Sequence, residues 1–203
     1  MPASKSDTVV LLERARAGDA DAVNELLIRN RHRLRKMVGV RLDARLAARV
    51  DPSDVVQETL LEAHRQFPEY LRTLPVPIYP WLRGLALRKL IRVQREHLGA
   101  QKRSVRREET LVPLLSEDSV AILARRLFSK DSGPAGRVVR AEQQARVRES
   151  LTRLDSLDRE LLIMHYMEQL SIGEIGSVLA IGESAVKMRH LRALRRLRAL
   201  LEE

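Results

Sequence analysis

The amino-acid sequence predicts an all-α protein with two helical domains joined by a linker, and a helix-turn-helix in the C-terminal domain. Apolar residues recur at the three-and-four spacing of helices through most of the 203 residues, and no segment alternates apolar and polar residues as a strand would. Aromatic residues make up only 3% of the chain, although hydrophobic residues make up 44%. Leu, Val and Ala therefore dominate the apolar residues, which is typical of helices.

The domain boundaries follow from where the helical pattern weakens. The pattern is clear over residues 1–103 and again over 141–203, and these ranges are predicted to be the two domains. Residues 104–140 are predicted to be the linker, with one short helix at 119–128. The stretch SKDSGPAGR at 129–137 has the small and polar composition of a linker.

The apolar spacing predicts a series of amphipathic helices in the first domain. Residues 21–40 place their apolar side chains on one helix face. The triplet DPS at 51–53 predicts the start of the next helix, because Asp and Ser cap helices well and Pro is tolerated in the first turn. Four prolines predict an irregular loop over 68–80, after which a helix resumes over 81–99.

The charge distribution indicates two kinds of partner. The net charge of +10 favours a polyanion. Residues 51–70 nevertheless hold five acids and one Arg, whereas residues 81–107 hold nine Lys or Arg and one Glu. An acidic surface between basic ones suits a protein partner in addition to a nucleic acid.

Several classes of function are excluded or disfavoured. The absence of cysteine excludes disulfides and cysteine-ligated zinc. No secretory signal and no apolar stretch long enough to span a membrane is present, so a soluble, intracellular protein is expected. No metal-ligand cluster, catalytic cluster or phosphate-binding glycine loop is found, and the chain is predicted to be no enzyme and to need no cofactor.

The stretch LSIGEIGSVLAIGESAVKMRHLRALRRL at 170–197 predicts the helix-turn-helix. Ser171 and Glu174 have the spacing of a capping box at the start of the first helix. The turn is predicted at AIGE, residues 180–183, with Gly182 where the chain reverses.

The last helix has two faces. Val186, Ala193, Leu197 and Leu200 form a core stripe, on which His190 is predicted to pack rather than to bind a ligand. The opposite face combines cationic, polar and apolar side chains: Ser184, Lys187, Met188, Leu191, Arg192 and Arg195. This mixture suits a recognition helix in the major groove, and the preceding helix favours that reading over a basic face in solvent or on a membrane.

Three motifs in order resemble those of bacterial RNA polymerase sigma factors of the extracytoplasmic-function (ECF) type, within the primary sigma family. DPSDVVQETLLEAHRQF at 51–67 resembles the segment that docks on the polymerase clamp, and WLRGLALRKLIRVQREH at 81–97 resembles the segment that handles the −10 element. LTRLDSLDRELLIMHYMEQLS at 151–171, with the helix pair after it, resembles the domain that reads the −35 element.

The resemblance implies roles for named residues. Asp54, Gln57 and Glu58 are expected to bind core polymerase. Trp81, Arg88, Lys89, Arg92 and Arg95 are expected to engage −10 DNA, and Tyr70, Tyr79 and Trp81 are candidates for stacking on unpaired bases. Lys187, Met188, Leu191 and Arg192 are expected to read −35 DNA, with Ser184 and Arg189 on phosphates.

The implied partners are core RNA polymerase, through its clamp and flap regions, promoter DNA and an anti-sigma factor, all in the bacterial cytoplasm. Two other classes of function fit parts of the sequence. A polymerase-independent helix-turn-helix regulator would share the C-terminal domain, but it would not need the acidic segment at 51–70. A DNA recombinase with a similar module would need a catalytic cluster that the sequence lacks.

Overall fold

The computed structural model describes residues 5–42, 46, 49–98 and 137–202, and none of these residues forms a strand. The chain divides into two compact units: residues 1–39 and 46–102 in unit 1, and residues 40–45 and 103–203 in unit 2. The all-α fold is thus confirmed. Most of the predicted linker, including the short helix at 119–128, lies outside the described residues.

The described helices of unit 1 are α1 (Lys5–Arg16), α2 (Ala20–Arg41), α3 (Pro52–Thr73) and α4 (Ile78–Leu98). The last two residues of α2 belong to unit 2. The start of α3 follows the sequence-based expectation. Asp51 is the N-cap, its carboxylate accepts a hydrogen bond from Ser53 N–H at 2.7 Å, and Pro52 opens the helix. That backbone hydrogen bond holds the pKa of the Asp51 carboxyl below its usual value.

The predicted loop over residues 68–80 is wrong at both ends. Helix α3 continues through Pro68 to Thr73, although proline removes a backbone donor and crowds the preceding turn. Phe67 and Tyr70 on either side of Pro68 are both 2% exposed, so burial of the two rings offsets the local cost. Pro80 stands in the first turn of α4, where no intrahelical N–H bond is lost.

An aromatic cluster joins α3 to α4. The Tyr70 and Trp81 rings stack with centroids 4.3 Å apart, and Phe67 lies edge-on to Trp81 at 6.0 Å. The Tyr70 hydroxyl donates to the Val76 carbonyl at 3.2 Å. On the α2 side, the Arg33 guanidinium lies 3.6 Å over the Tyr79 ring. These contacts fix the orientation of α4 on α3.

Unit 2 contains the remaining described helices: α5 (Arg137–Arg153), α6 (Ser156–Leu162), a π-helical turn (Ile163–Met167), α7 (Ile172–Leu179) and α8 (Glu183–Glu202). The π-turn continues α6 directly, and it is marked by a bond from Glu168 N–H to the Ile163 carbonyl. Helix α8 packs against α5, α6 and α7. The apolar spacing of the sequence predicts four helices in this part of the chain, at 139–154, 157–167, 171–180 and 183–201. The first, third and fourth are confirmed within a few residues, whereas the second is α6 followed by the π-turn.

The helix-turn-helix is formed by α7 and α8, and its capping box is confirmed. Ser171 Oγ accepts from Glu174 N–H at 3.2 Å, and Glu174 accepts from Ser171 N–H at 2.9 Å. The reversal is not made at Gly182, as predicted, but at Ala180, whose φ of 54° is left-handed. The glycine that the turn requires is Gly176, since a Cβ there would lie 2.7 Å from the Ile181 carbonyl oxygen.

Helix α8 rests on its predicted stripe. Val186 and Ala193 are fully buried and Leu197 is 2% exposed, whereas Leu200, the fourth residue of the predicted stripe, is only partly buried. Beside this stripe, the ring of His190 meets the ring of His165 on the π-turn at 4.8 Å and that of Tyr166 at 5.6 Å. His190 therefore packs against other rings, as predicted. Among the described residues, no third His, Cys, Asp or Glu joins His165 and His190 to form a group that could hold a metal ion.

None of the helices that the structure describes combines the length and the apolar character needed to cross a lipid bilayer.

We expect Gly176→Ala to lower the free energy of unfolding of unit 2 by about 1–3 kcal/mol, because the added methyl would clash with the backbone carbonyl oxygen of Ile181. Gly182→Ala is the matched control. A Cβ at Gly182 has nothing within 4 Å, so the expected loss is smaller, about 1 kcal/mol at most, and comes only from the weaker capping of α8 by Ala. Chemical denaturation followed by circular dichroism measures both, and equal losses would contradict the assignment of the turn glycine.

We expect the stability of unit 2 to rise with pH through about 6.5. Burial among the rings, and secondarily the charge of His165, lowers the pKa of His190 below the usual histidine value of about 6.5. The unfolded chain then binds the proton more tightly than the folded one, so stability is full above that value and falls as the pH drops. Thermal melts between about pH 5 and 8 should show a flatter dependence for His190→Leu than for the wild type. His64→Gln, an exposed change in unit 1, should leave the slope for unit 2 unaltered.

Candidate nucleic-acid interface

The outer face of α8 is the first candidate surface. All six side chains assigned to it from periodicity are exposed: Ser184, Lys187, Met188, Leu191, Arg192 and Arg195. The buried stripe lies on the opposite side of the helix, so packing of that stripe turns these residues outward. The two-faced character of α8 is therefore confirmed, and the contacts with DNA stay a prediction.

Two large apolar side chains interrupt this cationic face. Met188 is 55% exposed and Leu191 is 42% exposed. Their neighbours Lys187 and Arg192 carry positive charge into solvent. The face thus offers apolar contact and hydrogen-bond donors within about one and a half turns of helix.

The arginines of α8 differ in their surroundings. Arg192 Nε lies 3.4 Å from the Met188 carbonyl oxygen on its own helix, so its guanidinium is held beside the apolar pair. Nearer the C-terminus, Arg198 Nε donates to Glu202 at 3.0 Å. Arg198 already has a carboxylate partner and is the less available of the two for a polyanion.

Arg189 points back to the body of unit 2. Its Nε donates to Asp158 at 2.6 Å and its Nη2 donates to Asp155 at 2.9 Å. Asp155 also caps α6 by accepting from Leu157 and Asp158 N–H groups. Those backbone bonds, with Arg189 as a lesser cause, hold the pKa of Asp155 below its usual value. The structure thus places Arg189 between α8 and α6, and not outward as a phosphate contact requires.

A second candidate surface lies on α3. Asp54, Gln57 and Glu58 are exposed together with Leu61, which is 55% exposed, and their spacing places the four on one face. The opposite face of α3 is buried and includes Val55, Val56 and Thr59. The predicted polymerase-binding residues are therefore brought together around one exposed leucine.

The cations predicted to engage −10 DNA lie on α4. Arg88, Arg92 and Arg95 are exposed at spacings of four and three. Arg92 Nε donates to Glu96 at 2.9 Å, and this hydrogen bond raises the pKa of Arg92 above its usual value. Arg92 therefore stays protonated, and its positive charge is partly balanced by the Glu96 carboxylate.

The two surfaces of unit 1 meet at an ion pair. Lys89 of α4 pairs with Glu58 of α3, joining one predicted −10 residue to one predicted polymerase-binding residue. An open groove of about 450 Å³ runs beside the pair, and Leu61, Arg88 and Arg92 are among its lining residues. The groove was not predicted, because it depends on how α3 packs on α4.

The aromatic candidates are only partly accessible. Tyr70 and Tyr79 are 2% and 3% exposed, so the expectation that their rings stack on unpaired bases is wrong. Burial also raises the pKa of the Tyr70 phenol to about 12. Trp81 is half-buried with one face against Tyr70, and its role on −10 DNA stays a prediction.

Sequence reasoning missed Asp155 and Asp158 as partners of Arg189. The Asp-x-x-Asp spacing signals a helix start, which α6 confirms. It carries no signal for an arginine more than thirty positions later. Pairs of this kind depend on tertiary packing alone.

Comparison with known proteins agrees with this geometry. Residues 144–197 match the family described as Sigma-70, region 4. The RNA polymerase sigma factor FliA of Yersinia enterocolitica is 36% identical over 72 residues, which are 36% of this chain and 31% of that protein. The chain thus spans about a third of the length of this relative. The ECF RNA polymerase sigma factor SigD of Mycobacterium tuberculosis is 28% identical over 198 residues, 98% of this chain and 84% of that protein.

A solved structure described as CnrH in complex with the cytosolic domain of CnrY has a similar fold. It aligns with a TM-score of 0.52 and 23% identity over 97% of each chain. The resemblance read from the sequence motifs is confirmed: residues 144–197 match sigma-70 region 4, and the chain is similar to an ECF sigma factor over nearly its whole length.

Proposed function

We propose that this protein is a promoter-specificity subunit of bacterial RNA polymerase, acting in the cytoplasm and performing no bond chemistry itself. One observation supports this most strongly. Within the region 4 match, packing of α8 turns a face of cations and apolar residues away from the core, directly after a capped helix and a tight turn. A recognition helix in a major groove needs these features.

In unit 2, the proposed −35 contacts are Lys187, Met188, Leu191 and Arg192 on base edges and Ser184 on phosphate. All five are exposed. Arg189 has a different role in this proposal, because Asp155 and Asp158 hold its guanidinium. It positions α8 on α6, so that the reading face meets the groove at a fixed angle.

In unit 1, the exposed face of α3 is the proposed docking surface for the polymerase clamp. Carboxylates at Asp54 and Glu58 suit a basic partner, and Leu61 supplies apolar area beside them. Charge pairs of this kind mainly set the orientation and rate of encounter, whereas buried apolar area sets much of the affinity. Unit 2 would complete the assembly at the polymerase flap.

The exposed arginines of α4 are the proposed −10 surface, with phosphate as their target. Arg88, Arg92 and Arg95 follow one another along the helix, as contact with a phosphate backbone requires. Lys89 lies beside them but pairs with Glu58 of α3. Trp81 would support this surface from the aromatic cluster.

A protein regulator is also proposed. The solved CnrH structure contains the cytosolic domain of CnrY, so a protein of this fold binds another protein. An anti-sigma factor is the corresponding partner proposed for this chain.

The direct test is promoter-dependent transcription. Purified chain and core polymerase from the same bacterium are combined with a genomic fragment library, and run-off transcripts are mapped. The proposal expects transcripts whose start sites share an upstream element and depend on the chain. The absence of such transcripts together with the absence of binding to core polymerase would reject the proposal.

Charge reversal on α3 separates a sigma factor from a regulator that works without polymerase. Asp54→Lys and Glu58→Lys should each weaken binding to core polymerase at least tenfold, because like charges meet across the interface. Glu69→Lys is the matched control, since Glu69 is an exposed carboxylate further along the same helix, paired with Arg72. Pull-down or biolayer interferometry with core polymerase gives the measurement. Unchanged binding in both reversals, with DNA recognition intact, would favour the regulator.

Arg192 and Arg198 form a matched pair on α8. Arg192→Ala should weaken recognition of the −35 element by about 1–3 kcal/mol if the guanidinium contacts a base edge. Arg198→Ala should have much less effect, because Arg198 lies nearer the C-terminus and already pairs with Glu202. Holoenzyme binding to a promoter found in the transcription assay is compared for the two variants. Equal losses would indicate a nonspecific cationic helix.

A further inference from the structure

We propose that Met188 and Leu191 contact the 5-methyl groups of thymines on two adjacent base pairs of the −35 element. This inference rests on the proposed function and names the chemical groups that two of its −35 contacts recognise.

The first step is the exposure of the two side chains. Val186, Ala193 and Leu197 already supply the core contacts of α8, so Met188 and Leu191 are not needed for folding. They are 55% and 42% exposed and lie three residues apart on the outward face. Single exposed apolar side chains are common on protein surfaces, but two that lie together on one face form a patch of the kind that marks a contact surface.

The second step is the chemistry of the major groove. Base edges there present acceptors, donors and one apolar group, which is the C5 methyl of thymine. An exposed Met or Leu between cations can gain free energy in the groove only by removing apolar surface from water, and this methyl is its natural partner. Lys187 and Arg192 on either side supply the donors that acceptor atoms and phosphates need.

The third step is spacing. Two residues three positions apart in an α-helix are separated by about 4.5 Å along the axis. Successive base pairs are about 3.4 Å apart. The two side chains of a helix lying in the groove therefore fall on neighbouring base pairs rather than on the same pair. The unbranched Met188 side chain can adapt its reach, whereas Leu191 is the more rigid of the two.

The test compares thymine with deoxyuracil, which lacks only the 5-methyl group. Holoenzyme made with the full chain selects duplexes from a randomised library, and the enriched −35 element is expected to contain two adjacent A·T or T·A pairs. The enriched duplex is then resynthesised with deoxyuridine at each thymine. Loss of one methyl contact should weaken binding about fourfold, and loss of both about fifteenfold, if each methyl is worth one buried carbon.

The variants assign each methyl to a side chain. Met188→Ala should abolish the thymine–deoxyuracil difference at one position and Leu191→Ala at the neighbouring position. Leu157→Ala is the matched control, because Leu157 is exposed in the same unit but lies outside α8, and it should keep both differences. Because all three side chains are exposed, their loss should not unfold the protein, and circular dichroism checks this.

The remaining outcomes overturn the inference in distinguishable ways. Enrichment of a −35 element with equal affinity for thymine and deoxyuracil would reject methyl reading and leave the sigma-factor function standing. Unchanged DNA binding by Met188→Ala and Leu191→Ala, with weaker binding to core polymerase in the absence of DNA, would assign the pair to a protein partner. No enrichment and no chain-dependent transcript would reject the proposed function and the inference together.

Discussion

The surface that α8 presents to a partner depends on the packing of one apolar stripe along that helix. Val186, Ala193 and Leu197 have almost no contact with water, and a helix is stiff, so burying them fixes the direction of every other side chain on α8. Two further contacts hold the helix on its flanks. Arg189 bonds to α6, and His190 packs on the rings of the π-turn. The outward face is therefore held by packing, and in the proposed DNA contact the side chains on it, rather than adaptation of the helix, would decide which sequence is preferred.

Both units show how local sequence preferences and tertiary packing compete in setting the course of the chain. The caps of α3 and α7 were predictable because they depend on residues within one turn, as Asp51 and Ser171 show. The course of the chain at Pro68 was not predictable, because its local cost is opposed by the burial of Phe67 and Tyr70 against α4. The turn between α7 and α8 makes the same point. Composition indicated Gly182, whereas the need for a small residue at Gly176 comes from the carbonyl of Ile181, which approaches only once the turn is folded.

For the candidate surfaces, the sequence predicted which side chains are exposed on α8, α3 and α4, but not which charges pair. Periodicity correctly identified which side chains face outward, because a helix that buries one stripe exposes the other. It gave no information on which charges pair. Arg189 finds its carboxylates on α6, and Lys89 finds Glu58 on α3, each from a position about thirty residues away in sequence. Tyr70 and Tyr79 were assigned to DNA on residue type, but depth within the fold decides whether an aromatic ring can stack on a base.

The Arg189 contact also determines how this surface responds to salt. A cation that binds a phosphate displaces a condensed counterion from DNA, and each such contact steepens the fall of affinity with salt by about 0.9 on logarithmic axes. Arg189 is already neutralised by Asp155 and Asp158, so it contributes no counterion release. Lys187, Arg192 and Arg195 remain to set the ionic response of this face. The affinity of the proposed DNA contact would therefore depend less on ionic strength than the count of arginines along α8 suggests.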